Sequence, residues 1–318
     1  MKIALVGLVV ATASAGFASF DLMYLPDGLG RVNRYDPVNQ VHLGGLNLIV
    51  NTRHVGGHVD SPFLIGDLGN TTIYDSVTGG ALNNFATTTS GHYSHTTGDK
   101  FYGVFGSNIR QFTVSTRSST LITTAFAPLS LAALPTGEAV VIGINGGGDL
   151  ACLVYNVAGT LLSNTTLISA ASLDPGGPDI GSAAVVSQSN STSVVFGYRA
   201  TTSYRLLRAN FSGTGITSIV TLGTATAFST TAQVAVLGGH GGTVWMVGAD
   251  GGVAAATRIQ GYVLSGSTGI SNVTNVVTSA FSVPSAGAWS ATNIVAPEPN
   301  SLLALGAAAL LLRRRAKR

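Results

Sequence analysis

A single cysteine, Cys152, stands in the 318 residues, so no intrachain disulfide can form. It lies in the apolar run Ala151-Cys152-Leu153-Val154-Tyr155, which suits a buried small hydrophobe better than a nucleophile. Charge is scarce too, with Asp, Glu, Lys and Arg making up 9% of the chain. Carboxylates this sparse place no glycosidase pair close in sequence, and one would have to be assembled from distant positions such as Asp60, Asp99, Glu138 and Asp149. No basic patch in the body calls for nucleic acid. The Gly-x-Ser-x-Gly nucleophile elbow is missing. Asp-x-Asp calcium loops are missing as well: Asp250 has Gly248 and Gly252 where second ligands would fall. No signature calls for a cofactor. No window of the body sustains a 3.6-residue apolar period, which excludes an amphipathic-helix architecture.

What is present begins at the two ends. Met1-Lys2, the apolar run Ile3–Val10 and the small residues Ala13-Ser14-Ala15 and Gly16-Phe17-Ala18 form a secretory signal peptide, residues 1–18, with a short signal helix. Cleavage after Ala18 is the first choice and after Ala15 the second. At the other end, Pro297-Glu298-Pro299 precedes an apolar run, residues 301–312, and then Arg313-Arg314-Arg315 and further basic residues. Twelve helical residues reach only about 18 Å against a hydrocarbon core of roughly 30 Å, so this short hydrophobic helix is a poor permanent anchor. Its basic end would hold it at the cytoplasmic face.

Those residues resemble the PEP-CTERM sorting signal. The resemblance covers residues 297–318 and implies export across the inner membrane, then processing by exosortase, a membrane enzyme, after signal peptidase has acted. It further implies a Gram-negative bacterium that makes exopolysaccharide and biofilm, and leaves the activity of the remaining residues open. The expected location is the cell surface or the extracellular space, with transient or residual membrane association through residues 301–312. Setting aside Lys2, Glu298 and the basic tail turns the formal net charge of +3 slightly negative for the body. The basicity belongs to the address.

The body, residues 19–295, repeats; residues 296–318 are assigned to the sorting signal. Five short apolar runs end in Gly66, Gly103, Gly143, Gly197 and Gly248, at intervals of 37, 40, 54 and 51 residues. Each is followed by a second strand running into a polar or Gly-containing turn, best at Ile73-Tyr74-Asp75-Ser76-Val77-Thr78-Gly79 and matched earlier by Arg34-Tyr35-Asp36. Asp or Asn can close an Asx turn there and Gly supplies a positive φ. The preceding glycines suit a bulge or the close approach of a neighbouring backbone. Thr, Val and Gly favour close-packed strands over helix.

Three or four short strands per repeat predict an all-β fold, a β-propeller of six blades, with seven as the runner-up. The alternative is two β-sandwiches with a boundary near residues 170–182. Strand-like runs at both chain ends, Leu22–Leu25 and Val32–Asp36 against Asn275–Phe281 and Gly287–Val295, predict that the two ends share one blade and leave no open edge in the ring.

One local cluster could hold a metal: His54, His58 and Asp60, with two imidazoles and a carboxylate in a Gly-rich loop. His92 and His95 form a second His pair. Asn145-Gly146-Gly147-Gly148-Asp149 and Gly239-His240-Gly241-Gly242 read as hairpin turns, since neither precedes a helix that could bind phosphate. The expected function is a non-catalytic exported propeller that binds extracellular polysaccharide or an envelope protein. The alternative is a secreted hydrolase or lyase acting on glycans.

Overall fold

Every sheet among the described residues has four antiparallel strands, and each strand pairs with its sequence neighbour, with a single exception at the chain ends. The computed structural model describes residues 19–48, 53–57, 63–67, 71–76, 78–85, 93–95, 99–173, 183–188, 191–199, 203–229, 231, 233–266, 269–285 and 289–297. Within them are 24 strands in six sheets. The first sheet holds β1 (Ser19–Pro26), β2 (Arg31–Asp36) and β3 (Val41–Asn47), completed by the last strand, β24 (Thr292–Pro297). The second runs β4 (Val55–Gly56), β5 (Phe63–Asp67), β6 (Thr71–Asp75) and β7 (Ala81–Asn84). The third runs β8 (Tyr93–His95), β9 (Lys100–Phe105), β10 (Asn108–Thr113) and β11 (Ser118–Ile122). The fourth is β12 (Pro128–Ala133), β13 (Ala139–Ile144), β14 (Leu150–Tyr155) and β15 (Leu161–Ile168). The fifth is β16 (Ala184–Gln188), β17 (Ser191–Arg199), β18 (Tyr204–Ser212) and β19 (Gly215–Ala225). The sixth is β20 (Ala235–Gly238), β21 (Thr243–Ala249), β22 (Thr257–Ser265) and β23 (Gly269–Thr278).

The first strands of successive sheets touch in series: β4 meets β8, then β12, β16, β20 and finally β24, while β1 meets β4. That circuit makes the fold a β-propeller, with β4, β8, β12, β16, β20 and β24 innermost. Six apolar clusters fill the six seams between adjacent sheets. One joins Val140, Cys152 and Val154 to Val194 and Phe196. Another joins Met23 and Tyr35 to Trp245 and Ile259, and the smallest joins Ile73 and Phe85 to Phe101 and Phe112. A sheet packed on both faces needs apolar residues at successive positions, and every residue of β14 is buried. The outer strands lose that pressure, so β15 is mostly exposed.

The two repeated sequence units fall at fixed places. Each Gly of the first unit lies in the second strand of its sheet: β5, β9, β13, β17 or β21. At Gly143 a Cβ would come within 2.4 Å of the Ala127 carbonyl oxygen and 2.7 Å of the Phe126 ring. Gly248 is similarly crowded by Phe228 and Val234 at 3.0 Å. At these two positions the glycine makes room for the aromatic residue that leads into the inner strand. The second unit is the turn from third to fourth strand. Asp75 Oδ1 accepts from the Thr78 N–H at 2.7 Å, with Gly79 at φ +71°. Asn156 Oδ1 does the same for the Ala158 and Thr160 N–H groups, with Gly159 at φ +81°.

Some expectations are corrected. The chain ends contribute one closing strand from the C-terminal side and not two, because Asn275 to Thr278 belongs to β23, the outer strand of the preceding sheet. The two-sandwich alternative fails because all six sheets join in one circuit. Residues 170–172 form a short 3₁₀ turn after β15, and Ala184 already begins the innermost strand of the next sheet. The expected signal helix and C-terminal hydrophobic helix lie outside the described residues. Among the described residues no helix is long and apolar enough to cross a membrane.

Candidate binding face

Within each sheet the turns from second to third strand share one end of the ring with the connections from one sheet to the next. A cavity of about 520 Å³ opens at this end between the first, second and sixth sheets. Asp27 and Arg53 bring a carboxylate and a guanidinium to it, beside apolar surface from Ala254, Ala255, Val283 and Pro284. Asp27 also shapes the β1–β2 turn, where Oδ1 accepts from the Leu29 N–H at 2.7 Å and the Arg31 N–H at 3.1 Å.

Asp250 lines the same cavity with its carboxylate engaged. Oδ1 accepts from the Gly252 and Val253 N–H groups at 2.9 and 2.6 Å, and Oδ2 accepts from Arg258 Nε at 2.6 Å. Burial works against the ionised form, yet these two amides and the Arg258 guanidinium hold the carboxyl below the ordinary carboxylate range. The cavity therefore offers one structural carboxylate, one turn carboxylate, one guanidinium and an apolar side. That chemistry suits a small polar ligand with an apolar face.

Of the predicted metal ligands only His54 lies among the described residues. His54 is buried ahead of β4, bridged through its backbone to Ser290, whose Oγ lies 3.4 Å from Nδ1. It seals the approach of the inner strands β4 and β24. His58, Asp60 and His92 lie outside the described residues, and the described backbone of His95 falls in β8. Among the described residues no group of three His, Cys, Asp or Glu side chains could hold a metal.

Of the acidic candidates Asp60 lies outside the described residues, and the other three do not share one place on the ring. Asp99 and Glu138 precede β9 and β13 at the end of the ring where first strands turn into second strands, whereas Asp149 sits in the β13–β14 turn at the opposite end. Each is also occupied: Asp99 by Ser115, Glu138 by the Thr136 hydroxyl, and Asp149 by the Ala170 N–H at 2.8 Å. The hydrogen bonds from Ala170 and Asn145 hold the Asp149 carboxyl below its ordinary value. The Asn145–Asp149 and Gly239–Gly242 stretches are connections between consecutive antiparallel strands, as expected. Burial pushes the Cys152 thiol up to about 12, which keeps it protonated and inert.

Sequence reasoning missed the network at the ring closure. Asp21, on β1, is buried and has no cation among its hydrogen-bond partners. Its Oδ1 accepts from the His240 N–H at 2.8 Å and Asn293 Nδ2 at 2.9 Å, and its Oδ2 accepts from Trp245 Nε1 at 2.7 Å. Asn293 Nδ2 also reaches the Gly238 carbonyl at 3.0 Å. First, last and sixth-sheet strands are thus tied by one carboxylate. The available signal was an acidic residue heading the otherwise apolar run Leu22-Met23-Tyr24-Leu25.

The fold and this face define a β-propeller with a ligand-sized cavity on one end. Solved structures place it among propellers at the level of fold. TolB from Acinetobacter baumannii is 12% identical, with 92% of this chain and 70% of that chain covered and a TM-score of 0.57. A protein of unknown function from Bacteroides caccae is 11% identical, covering 88% of this chain and 100% of that one, with a TM-score of 0.53. No protein-family model matches the chain, and a search of curated proteins finds no match.

Proposed function

We propose that this is an exported, non-catalytic binding propeller of six blades, one per sheet, released from signals at both ends and displayed at the cell surface or in the extracellular matrix. Signal peptidase cuts after Ala18, and an exosortase-type membrane enzyme processes the chain at Pro297-Glu298-Pro299, with Arg313, Arg314 and Arg315 holding the tail at the membrane until then. The cavity face then takes a polysaccharide or an envelope protein, consistent with its guanidinium, its apolar side and the engagement of both its carboxylates by turn amides.

One observation carries the reading. Strand β1 begins at Ser19, directly after the expected signal-peptide site, and β24 ends at Pro297, the first residue of the Pro-Glu-Pro motif. These two residues are paired with each other. Both cuts therefore fall just outside one hydrogen-bonded pair of strands and leave the ring whole.

The test is the intact mass of the cell-associated protein combined with membrane fractionation. The expected mass begins at Ser19 and lacks Arg313 to Arg318. Full-length protein, Arg318 included, persisting at the cell surface overturns the sorting reading. A carbohydrate array read for both retention and cleavage tests the body: retention without turnover is expected, and product formation overturns the non-catalytic reading.

A further inference from the structure

The wall of the cavity sets two opposite charges beside an aliphatic surface. Asp27 uses only Oδ1 in the β1–β2 turn, where it accepts from the Leu29 and Arg31 N–H groups, so Oδ2 is left for an incoming donor. Gly28, the next residue, has φ +78°, and a Cβ placed on it would lie 3.4 Å from Pro284 Cγ and 4.0 Å from Arg53 Cγ. The stem of Arg53 thus runs past the turn that carries Asp27, and Pro284 packs on the same backbone. Asp250, the other carboxylate of the wall, is matched by Arg258 at 2.6 Å. The remaining surface is largely small and aliphatic, with Ala254, Ala255 and Val283 on the wall and Leu29, 80% exposed, at its edge. Ala255 and Ala227 hold φ +56° and +70°, and the Gly251 N–H donates to the Ala227 carbonyl at 2.9 Å, which ties the two segments together. Left-handed backbone at a residue with a Cβ costs free energy, and strain of this kind collects at ligand sites.

We infer that this cavity binds a short aliphatic peptide with free ends, its amine at Asp27 and its carboxylate at Arg53. A carboxylate takes an ammonium, and a guanidinium takes a carboxylate, in charge-assisted hydrogen bonds. With five N–H donors, Arg53 can serve a ligand beside any other acceptor it holds. Between the two ends the aliphatic side chains of the peptide lie on Val283, Pro284 and the alanines. A sugar ring, hydroxylated around its rim, would bury some of those hydroxyls against the same alkyl surface without partners, at a cost. The cavity volume of about 520 Å³ lies inside the roughly 300–1,000 Å³ that small-ligand sites occupy. The inference rests on the reading of this cavity as the binding face and narrows it to one ligand class.

The test is isothermal titration calorimetry of the full chain with the tripeptide Ala-Leu-Ala, its N-acetyl form, its C-terminal amide and, separately, cellotetraose. The free tripeptide should bind, and blocking either end should weaken it roughly tenfold or more, the loss of one charge-assisted contact. Asp27→Asn keeps an Oδ1 acceptor for the turn and should make the free and acetylated peptides bind alike while amidation still weakens binding. Arg53→Gln, at an exposed side chain, should do the reverse. Free and blocked tripeptides that bind alike to the unaltered chain overturn the inference, and that comparison stands even where a variant fails to fold. Tripeptide binding that neither variant alters overturns it as well. Cellotetraose binding that Arg53→Gln abolishes, with no tripeptide bound, overturns the peptide inference and leaves the binding face standing. Silence from every probe overturns the inference and removes this support for the binding face too.

Discussion

Asp250 shows how a carboxylate closes a loop in this fold, accepting from two amides and from Arg258. Its folded pKa lies below the ordinary 3.8. The sign follows directly, because a depressed carboxyl adds stability that is fully present above the unfolded value and is lost as pH falls through the folded one. Melting curves between neutral pH and strong acid should therefore show a stability loss in the acid range that Asp250→Asn reduces. At neutral pH the same variant should cost about 2 kcal/mol, since Arg258 and two amides lose their anion. Gly143 gives a second residue-scale test. Gly143→Ala drives a methyl into the Ala127 carbonyl and the Phe126 ring and should cost about 2–3 kcal/mol in a denaturant melt. Gly106→Ala, where nothing lies within 4 Å but φ is +58°, should cost only about 1 kcal/mol. The glycine requirement was legible in the sequence; its cause, an aromatic residue arriving from the preceding connection, depends on a contact some seventeen residues away.

At the scale of the element, the turns between third and fourth strands were readable because their chemistry is local. An Asx side chain satisfies amides two or three residues on, and the next residue needs a positive φ. Two turns break the sequence pattern while keeping the geometry: Gln40 and Arg117 adopt φ +58° and +54° without being glycine. At the second of these, Asp99 reaches across to the Ser115 N–H at 2.7 Å. Inner strands were less legible, since β4 has two residues and no periodicity can show in so short a run. The closing strand was half visible, its pairing expected and its anchor not. Asp21→Ala leaves the His240 amide, Trp245 Nε1 and Asn293 Nδ2 without their shared acceptor, and should destabilise by roughly 3 kcal/mol. A chain ending at Ala291 should lose cooperative unfolding, while one ending at Pro297 should melt as the full chain does. Equal melting of the two would show that β24 closes nothing.

For the whole molecule, the repeat intervals located the sheets and the composition excluded helix, because both are properties of the chain read in order. The distribution of charge over the ring was not readable that way. Asp99, Glu138 and Asp149 look like a dispersed acidic set in sequence, yet strand direction assigns Asp99 and Glu138 to one end and Asp149 to the other. The cavity beside Asp27 and Arg53 was equally hidden, being assembled from five connections that are remote in sequence.

The pairing of Ser19 with Pro297 also sets an order of events. A chain that emerges N-terminus first exposes β1 early, with its inner edge open and Asp21 still hydrated, and must wait for nearly every other residue before Asn293 arrives. Closing a loop of that span comes late and slowly, and until then the open edge is a site for mispairing. The protein should therefore pass through a populated open ring whose apolar seams are largely formed. Slow appearance of Trp245 burial, lagging behind β-sheet formation in refolding, would be the kinetic mark of the last strand snapping home.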